Sequence, residues 1–127
     1  MKTILVDAID GFVIIGEGIF KEMHDLLETY SNNKIILTGA NDEQMAKFGL
    51  NDMPYPVFTL KHDPEKTDPS YFVALLKVHD LKVEDVIYFE HNPEAVKSAE
   101  SIGIKSYFYD DSKKDLVSLK NFIDSNL

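Results

Sequence analysis

Five short apolar runs, each separated from the next by an amphipathic stretch, constrain the fold of this chain more than any other feature. The runs are rich in Val, Ile, Phe and Tyr and have the length of β-strands; they cover residues 3–6, 34–37, 55–60, 86–89 and 106–109. Between them, apolar side chains recur at helical spacing, as Phe20, Met23 and Leu27 do. Because strands that alternate with helices pair in parallel, the pattern predicts a three-layer α/β sandwich around a five-stranded parallel, Rossmann-like sheet.

Several helix boundaries are marked by single residues. Asn41 precedes an Asp-Glu-Gln segment and is a good N-cap, and Asp68 followed by Pro69 opens a later helix. Gly103 stands where another helix should end. Since no linker, repeat or low-complexity segment interrupts the pattern, we expect residues 1–127 to form one domain.

The composition excludes several classes of site and partner. The chain has no cysteine, so it can form neither a disulfide nor a thiolate metal site. Its 13 basic residues, all of them lysine, face 22 acidic ones, and the net charge of -9 opposes binding to nucleic acid. No apolar run approaches the length of a membrane span. We therefore expect a soluble, cytoplasmic protein without nucleic-acid or membrane partners, whose oligomeric state stays open.

In parallel α/β sheets, ligands bind beyond the carboxyl ends of the strands, near the point where the strand order reverses. That rule selects the residues that follow the predicted strands. They are Asp7, Thr38, Lys61 or Lys66, Glu90 and His91. An aspartate, a threonine hydroxyl, a lysine, a glutamate and a histidine would thus meet at one edge of the sheet.

These residues lie in segments with a recognisable order and spacing. The segments ILVDAIDGF, IILTGA and residues 66–104 together resemble the haloacid dehalogenase (HAD) superfamily over nearly the whole chain. The family pattern is an aspartate at the end of the first strand, a Thr or Ser at the end of the second, a Lys before the third helix, and acidic residues after the fourth strand. The resemblance implies a HAD-like fold.

The resemblance also implies phosphoryl-transfer chemistry. In such sites an aspartate attacks a phosphoryl group, while Lys and Thr donors hold the group being transferred. Carried over to this chain, the catalytic residues would be Asp7, Thr38 and Lys66, and the phosphate-binding residues Thr38, Gly39 and Lys66. The implied partner is a small phosphorylated substrate, a phosphate ester or an acyl phosphate, or another small anionic ligand.

The first motif departs from the family pattern. The position two residues after Asp7, where phosphatases of the family carry a second aspartate as general acid, holds Ile9, which cannot transfer a proton. In a second register, Asp10-Gly11-Phe12 would align with the family's Asp-Gly-Thr, and Ala8 would replace the nucleophile. We prefer Asp7 because Ile4-Leu5-Val6-Asp7 reads as a strand that ends in an exposed carboxylate.

The implied metal site departs from the family pattern as well. Asp7, Glu90 and His91 are its candidate ligands, and Mg²⁺ is the implied cofactor. Magnesium prefers oxygen ligands, whereas a neutral histidine suits zinc or another transition metal better. We therefore expect a weak magnesium site.

The spacing of the first two strands bears on access to the site. Only about two dozen residues separate them, enough for one turn and one helix, so we expect no cap domain.

Three functions compete at this point. The first is a hydrolase with weak or degraded activity, and the second is a non-catalytic protein that keeps the fold to bind a partner or a small anion. A dehalogenase ranks last, because those enzymes typically need a cap and an arginine. Each residue also has a structural alternative: Asp7 and Asp10 could form turns, Lys66 could be a solvated lysine and His91 could cap a turn. His62 and His79 are assigned to surface and helix packing.

Overall fold

The computed structural model of the protein describes residues 1–127 and contains the predicted five-stranded parallel sheet. The order across the sheet is β5-β4-β1-β6-β7, and a separate two-stranded hairpin is formed by β2 and β3. The strands are β1 (Thr3–Asp7), β2 (Val13–Ile14), β3 (Gly18–Ile19), β4 (Lys34–Thr38), β5 (Val57–Thr59), β6 (Val86–Glu90) and β7 (Lys105–Phe108). The first strand, β1, lies at the centre of the sheet.

Five α-helices cover the two faces of the sheet. They are α1 (Lys21–Glu28), α2 (Asp42–Lys47), α3 (Pro69–Val78), α4 (Pro93–Ser101) and α5 (Leu116–Asn126). Alternate residues of β1 point into two separate cores: Ile4 and Val6 pack with α1 and α5, and Leu5 packs with α3 and α4. This arrangement is the predicted three-layer sandwich.

The predicted helix boundaries are confirmed. The Asn41 side chain accepts a hydrogen bond from the Gln44 amide, and the Gln44 side chain accepts one from the Asn41 amide, so the two form a capping box. Asp68 caps α3, which begins with a proline. Gly103 has a φ of 98°, the left-handed conformation that ends α4 without a side-chain clash.

The segment between β1 and α1 contains more than the predicted turn. Val13 and Ile14 pair with Ile19 and Gly18 in a short antiparallel hairpin. Each strand has only two residues, which is too short for an alternating apolar pattern to reveal it in the sequence. The hairpin is the only strand or helix between β1 and α1, so no cap domain covers this edge of the sheet.

The turn after β1 fixes the position of Asp7 and requires a glycine. The Phe12 amide donates to the Asp7 carbonyl oxygen at 2.9 Å, which brings Gly11 against β1. A Cβ atom on Gly11 would lie 2.6 Å from that same oxygen. The backbone would have to move to accept any side chain here.

Gly11→Ala should therefore lower the free energy of unfolding by about 3 kcal/mol, the upper end of the ~1–3 kcal/mol that forcing extra atoms into a packed place typically costs. Urea unfolding measures the loss. Gly49→Ala is the matched control: its φ is 72° but nothing lies within 4 Å of the added Cβ, so only the left-handed backbone, about 1 kcal/mol, opposes the change. Equal losses in the two variants would contradict the close approach.

Candidate functional site

Three adjacent strands bring their last residues to one edge of the sheet. Asp7 ends β1, Thr38 ends β4 and Glu90 ends β6, and all three side chains are buried. They line a cleft of about 200 Å³ at the point where the chain crosses from one side of β1 to the other. The expected clustering of these residues is confirmed.

Lys66 joins the two carboxylates. Its Nζ atom donates to Asp7 Oδ1 at 2.9 Å and to Glu90 Oε1 at 2.8 Å, and it lies 3.3 Å from the Leu37 carbonyl oxygen. The rival lysine, Lys61, forms an exposed ion pair with Asp42 instead. The structure thus selects Lys66 as the lysine of the cleft.

His91 joins the same carboxylates from the other side. Its Nδ1 atom is hydrogen-bonded to Asp7 Oδ2 and lies 3.2 Å from Glu90 Oε2, while its backbone amide donates to Asp7 Oδ2 at 3.1 Å. The Asn92 amide donates to Glu90 Oε2 at 3.0 Å. All four carboxylate oxygens therefore have a partner, and two carboxylates alternate with two basic side chains around a closed ring.

This ring shifts the pKa values of its members. Burial opposes the charge of Lys66, but Asp7 and Glu90 outweigh it and raise the lysine pKa above its ordinary value. Burial likewise opposes the charge of Glu90, yet Lys66 and the hydrogen bonds to the carboxylate lower its pKa to about 2. Hydrogen bonds to Asp7 and Glu90 raise the pKa of His91 to about 10. Burial raises the pKa of Asp7, although Lys66 acts in the opposite direction.

One member of this network, Tyr88, was not predicted from the sequence. Tyr88 lies two residues before Glu90 on β6, so both side chains are on the same face, and its hydroxyl donates to Glu90 Oε1. Burial raises the pKa of Tyr88 well above its usual value, and the neighbouring Glu90 carboxylate adds to this effect. The hydroxyl therefore stays protonated and fixes the orientation of Glu90.

The opposite wall of the cleft offers hydrogen-bond donors to a ligand. Thr38 Oγ1 accepts from the Ala40 amide at 3.1 Å, which leaves the hydroxyl proton for another acceptor. The amide groups of Ile9 and Gly39 make no hydrogen bond within the protein. With Lys66 these groups surround a space suited to a small oxyanion.

His62 lies at the mouth of the cleft rather than apart from it. Its Nδ1 atom is 2.7 Å from Glu65 Oε1, and its Nε2 atom contacts the Gln44 side chain. A Cβ on Gly39 would lie 3.0 Å from Glu65 Oε2, so the glycine leaves space for this group. His62 is exposed, as assigned, and in addition lines the cleft, while His79 packs against Phe58, as assigned.

Asp10 occupies a different position from Asp7. It has a φ of 69°, its side chain is 42% exposed, and its Oδ2 atom lies 3.7 Å from His91 Nε2 at the rim. Ala8, the nucleophile position of the second register, is fully buried in the apolar core. Of the two aspartates, Asp7 is therefore the one that lines the cleft, together with Ile9.

A divalent metal fits the donor set but not its present arrangement. Asp7, Glu90 and His91 offer ligand atoms that all lie within 4.8 Å of one another, and carboxylate oxygens suit a hard cation. Those atoms bond to each other and to Lys66. A metal would therefore have to displace some of these contacts before it could bind the carboxylates.

No helix in the structure combines the length and the hydropathy that crossing a membrane requires.

Comparisons with known proteins give structural likeness only. No family model matches the chain, and no curated protein matches it significantly in sequence. An uncharacterized protein from Corynebacterium glutamicum superposes with a TM-score of 0.63 at 16% identity, over 98% of this chain and 96% of that one.

Two larger proteins match in part. UTR4 from Saccharomyces cerevisiae has a TM-score of 0.55 at 17% identity, and a "putative beta-phosphoglucomutase" from Thermotoga maritima has 0.51 at 21%. The alignments cover 71% and 69% of this chain but only 46% and 44% of those proteins. At such identities the likeness shows the fold alone, and that fold is HAD-like.

Proposed function

We propose that the protein is a cytoplasmic, HAD-like hydrolase of phosphate esters or acyl phosphates, with Asp7 as its nucleophile and with low activity. One observation carries the proposal: Lys66 contacts Asp7 in the same small cleft that holds the free donors of Thr38, Ile9 and Gly39. The name of one structural neighbour, "putative beta-phosphoglucomutase", also describes an enzyme of phosphoryl transfer.

The residues of the cleft divide the chemistry between them. An Asp7 oxygen attacks phosphorus and forms an aspartyl phosphate, while Lys66, the Thr38 hydroxyl and the two free amides hold the phosphoryl oxygens. A magnesium ion held by Asp7 and Glu90 would neutralise charge on those oxygens. Without a general acid at Ile9, poor leaving groups are expected to lose about 10²- to 10⁴-fold in rate.

Magnesium should bind weakly, with a dissociation constant on the order of millimolar. Lys66 and His91 already neutralise both carboxylates, so a metal gains little and must displace the imidazole. Preference for zinc over magnesium would instead support His91 as a ligand.

A second candidate is binding of a small anion without turnover. It is favoured by the burial of the Asp7 side chain, which is 1% exposed because Lys66 and His91 contact its oxygens. A nucleophile needs an oxygen that the substrate can reach. Turnover therefore requires His91 or Lys66 to release one of these oxygens, whereas anion binding to the donors of Thr38 and Gly39 does not.

Activity on activated substrates tests the proposal. Acetyl phosphate and p-nitrophenyl phosphate need little protonation of the leaving group, so we expect slow, measurable turnover in the presence of magnesium. Asp7→Asn should abolish it, and Asp10→Asn should change it less than about threefold, since proton transfer by Asp10 is not required.

Each other outcome has a definite meaning. A larger effect of Asp10→Asn than of Asp7→Asn would overturn the choice of nucleophile. A protein that is inert to both substrates, yet is stabilised thermally by inorganic phosphate or vanadate, would establish the binding function instead.

A further inference from the structure

The cleft is smaller than a typical small-molecule site. Its volume of about 200 Å³ lies below the range of roughly 300–1,000 Å³ typical of small-molecule sites. The donors of Thr38, Gly39 and Lys66 account for the phosphoryl group. A group much larger than the acetyl group of acetyl phosphate would extend beyond this cleft.

A second cavity adjoins the cleft and shares its walls. It has a volume of about 450 Å³ and lies between the β2–β3 hairpin and the end of α2. Phe48 lines both cavities. Ile9, which lines the cleft, pairs with Val13, which lines the second cavity. Helix α2 also contributes to both, with Gln44 in the cleft and Lys47 in the second cavity.

The lining of the second cavity is largely apolar. Val13, Ile14, Ile15 and Phe48 provide its apolar side chains, and Lys47 lines it as well. The Ile15 side chain is 55% exposed, although burial of an apolar side chain is worth about 1.5–3 kcal/mol. This apolar surface continues directly from a site that binds a phosphoryl group.

We propose that the substrates are aryl phosphates, with the phosphoryl group in the cleft and the aromatic ring in the groove formed by the β2–β3 hairpin and α2. The inference rests on the proposed function and names its substrate class. Two independent features point to the same class: the groove is apolar, and the cleft has Ile9 where a proton donor would be needed for an alkyl ester.

The reaction balances without an acid. The Asp7 oxygen forms a bond to phosphorus as the bond from phosphorus to the aryl oxygen breaks, and the electron pair leaves on the phenolate. The phenolate is stable enough to depart unprotonated and later takes a proton from water. A second water then attacks phosphorus as the bond to Asp7 breaks. Its proton neutralises the hydroxide left when the phenolate was protonated, hydrogen phosphate is released, and the Asp7 carboxylate is regenerated.

A pair of substrates separates the groove contact from leaving-group chemistry. Phenyl phosphate and 2-naphthyl phosphate release alcohols of similar acidity, but the naphthyl group has more apolar surface. We expect kcat/KM for 2-naphthyl phosphate to be about tenfold higher, from the added burial in the groove. Ile15→Ala should reduce this ratio to about twofold, because it removes apolar surface from the groove.

Val117→Ala is the matched control. Val117 is an exposed aliphatic residue on α5 that does not line the groove, so the tenfold ratio should persist. A ratio near one in the native protein would overturn the groove assignment; if Asp7→Asn still abolished acetyl phosphate turnover, the proposed function would stand. Sedimentation experiments provide a further check. If the native protein self-associates, and Ile15→Ala removes this association while Val117→Ala does not, a second copy of the chain covers the groove and the groove assignment is overturned.

Binding of phosphonates tests the groove without turnover. Benzylphosphonate and methylphosphonate cannot be hydrolysed, and calorimetry should show about tenfold tighter binding of the benzyl compound. Equal affinities would contradict the groove even in a catalytically inert protein.

Discussion

Lys66→Ala should lower the free energy of unfolding by about 3–5 kcal/mol, the cost of removing one partner from a buried ion pair. The Lys66 side chain is only 16% exposed, and its Nζ atom is the contact shared by Asp7 and Glu90. Without it, two buried carboxylates would face each other with a single cation, His91, between them. Chemical unfolding at neutral pH measures the loss.

Two further variants show whether the loss comes from the buried charges. Lys61→Ala removes an exposed lysine, 59% accessible, from its pair with Asp42, and should cost at most about 1 kcal/mol. Adding Glu90→Gln to Lys66→Ala removes one of the unpaired charges, so the double variant should recover part of the loss. A Lys66→Ala variant as stable as Lys61→Ala would contradict the charge ring.

The sequence could predict the sheet because its three central strands, β1, β4 and β6, are buried on both faces. Near-continuous apolar runs such as Ile4 to Val6 are typical of central parallel strands, and their spacing leaves only room for helices between them. The meeting of Asp7, Thr38 and Glu90 follows from that pairing, because parallel strands end at the same edge. These parts of the site depend on backbone topology alone.

The contacts within the site depend on loop and side-chain geometry, which local sequence does not determine. Lys61 and Lys66 are equivalent in the sequence, but Lys61 and His62 both adopt positive φ values, and the chain turns so that only Lys66 enters the cleft. Tyr88 is a typical strand residue, and nothing in the sequence shows that its hydroxyl meets Glu90. The β2–β3 hairpin likewise has strands too short for periodicity to reveal.

His91 is the residue whose role the sequence left most open. Its position in the chain is compatible with a metal ligand, a turn cap or a cation. Only the direction of its ring distinguishes these roles. The ring lies between Asp7 and Glu90, with Nδ1 toward both carboxylates. A metal ion held by Asp7 and Glu90 would need the same space, so the histidine and the metal would compete for it.

His91→Ala should therefore increase the affinity for magnesium by at least about tenfold. Removing a positive charge beside a divalent ion changes the interaction by about 1 kcal/mol per unit charge at 4 Å even in water, and more in a partly buried cleft. The space left by the ring also becomes free for the ion and its waters. Calorimetric titration of the native protein and the variant, after treatment with a chelator, measures the change.

His62→Ala is the control for this measurement. His62 lies at the mouth of the same cleft, but its ring bonds to Glu65 and Gln44 rather than to Asp7 or Glu90, so its removal should leave the magnesium affinity within about twofold. Weaker binding in His91→Ala than in the native protein would show that the imidazole is a metal ligand, as the sequence suggested. Tighter binding of magnesium in His91→Ala would show that the charged imidazole competes with the ion, because Asp7 and Glu90 would then bind the ion better without the imidazole.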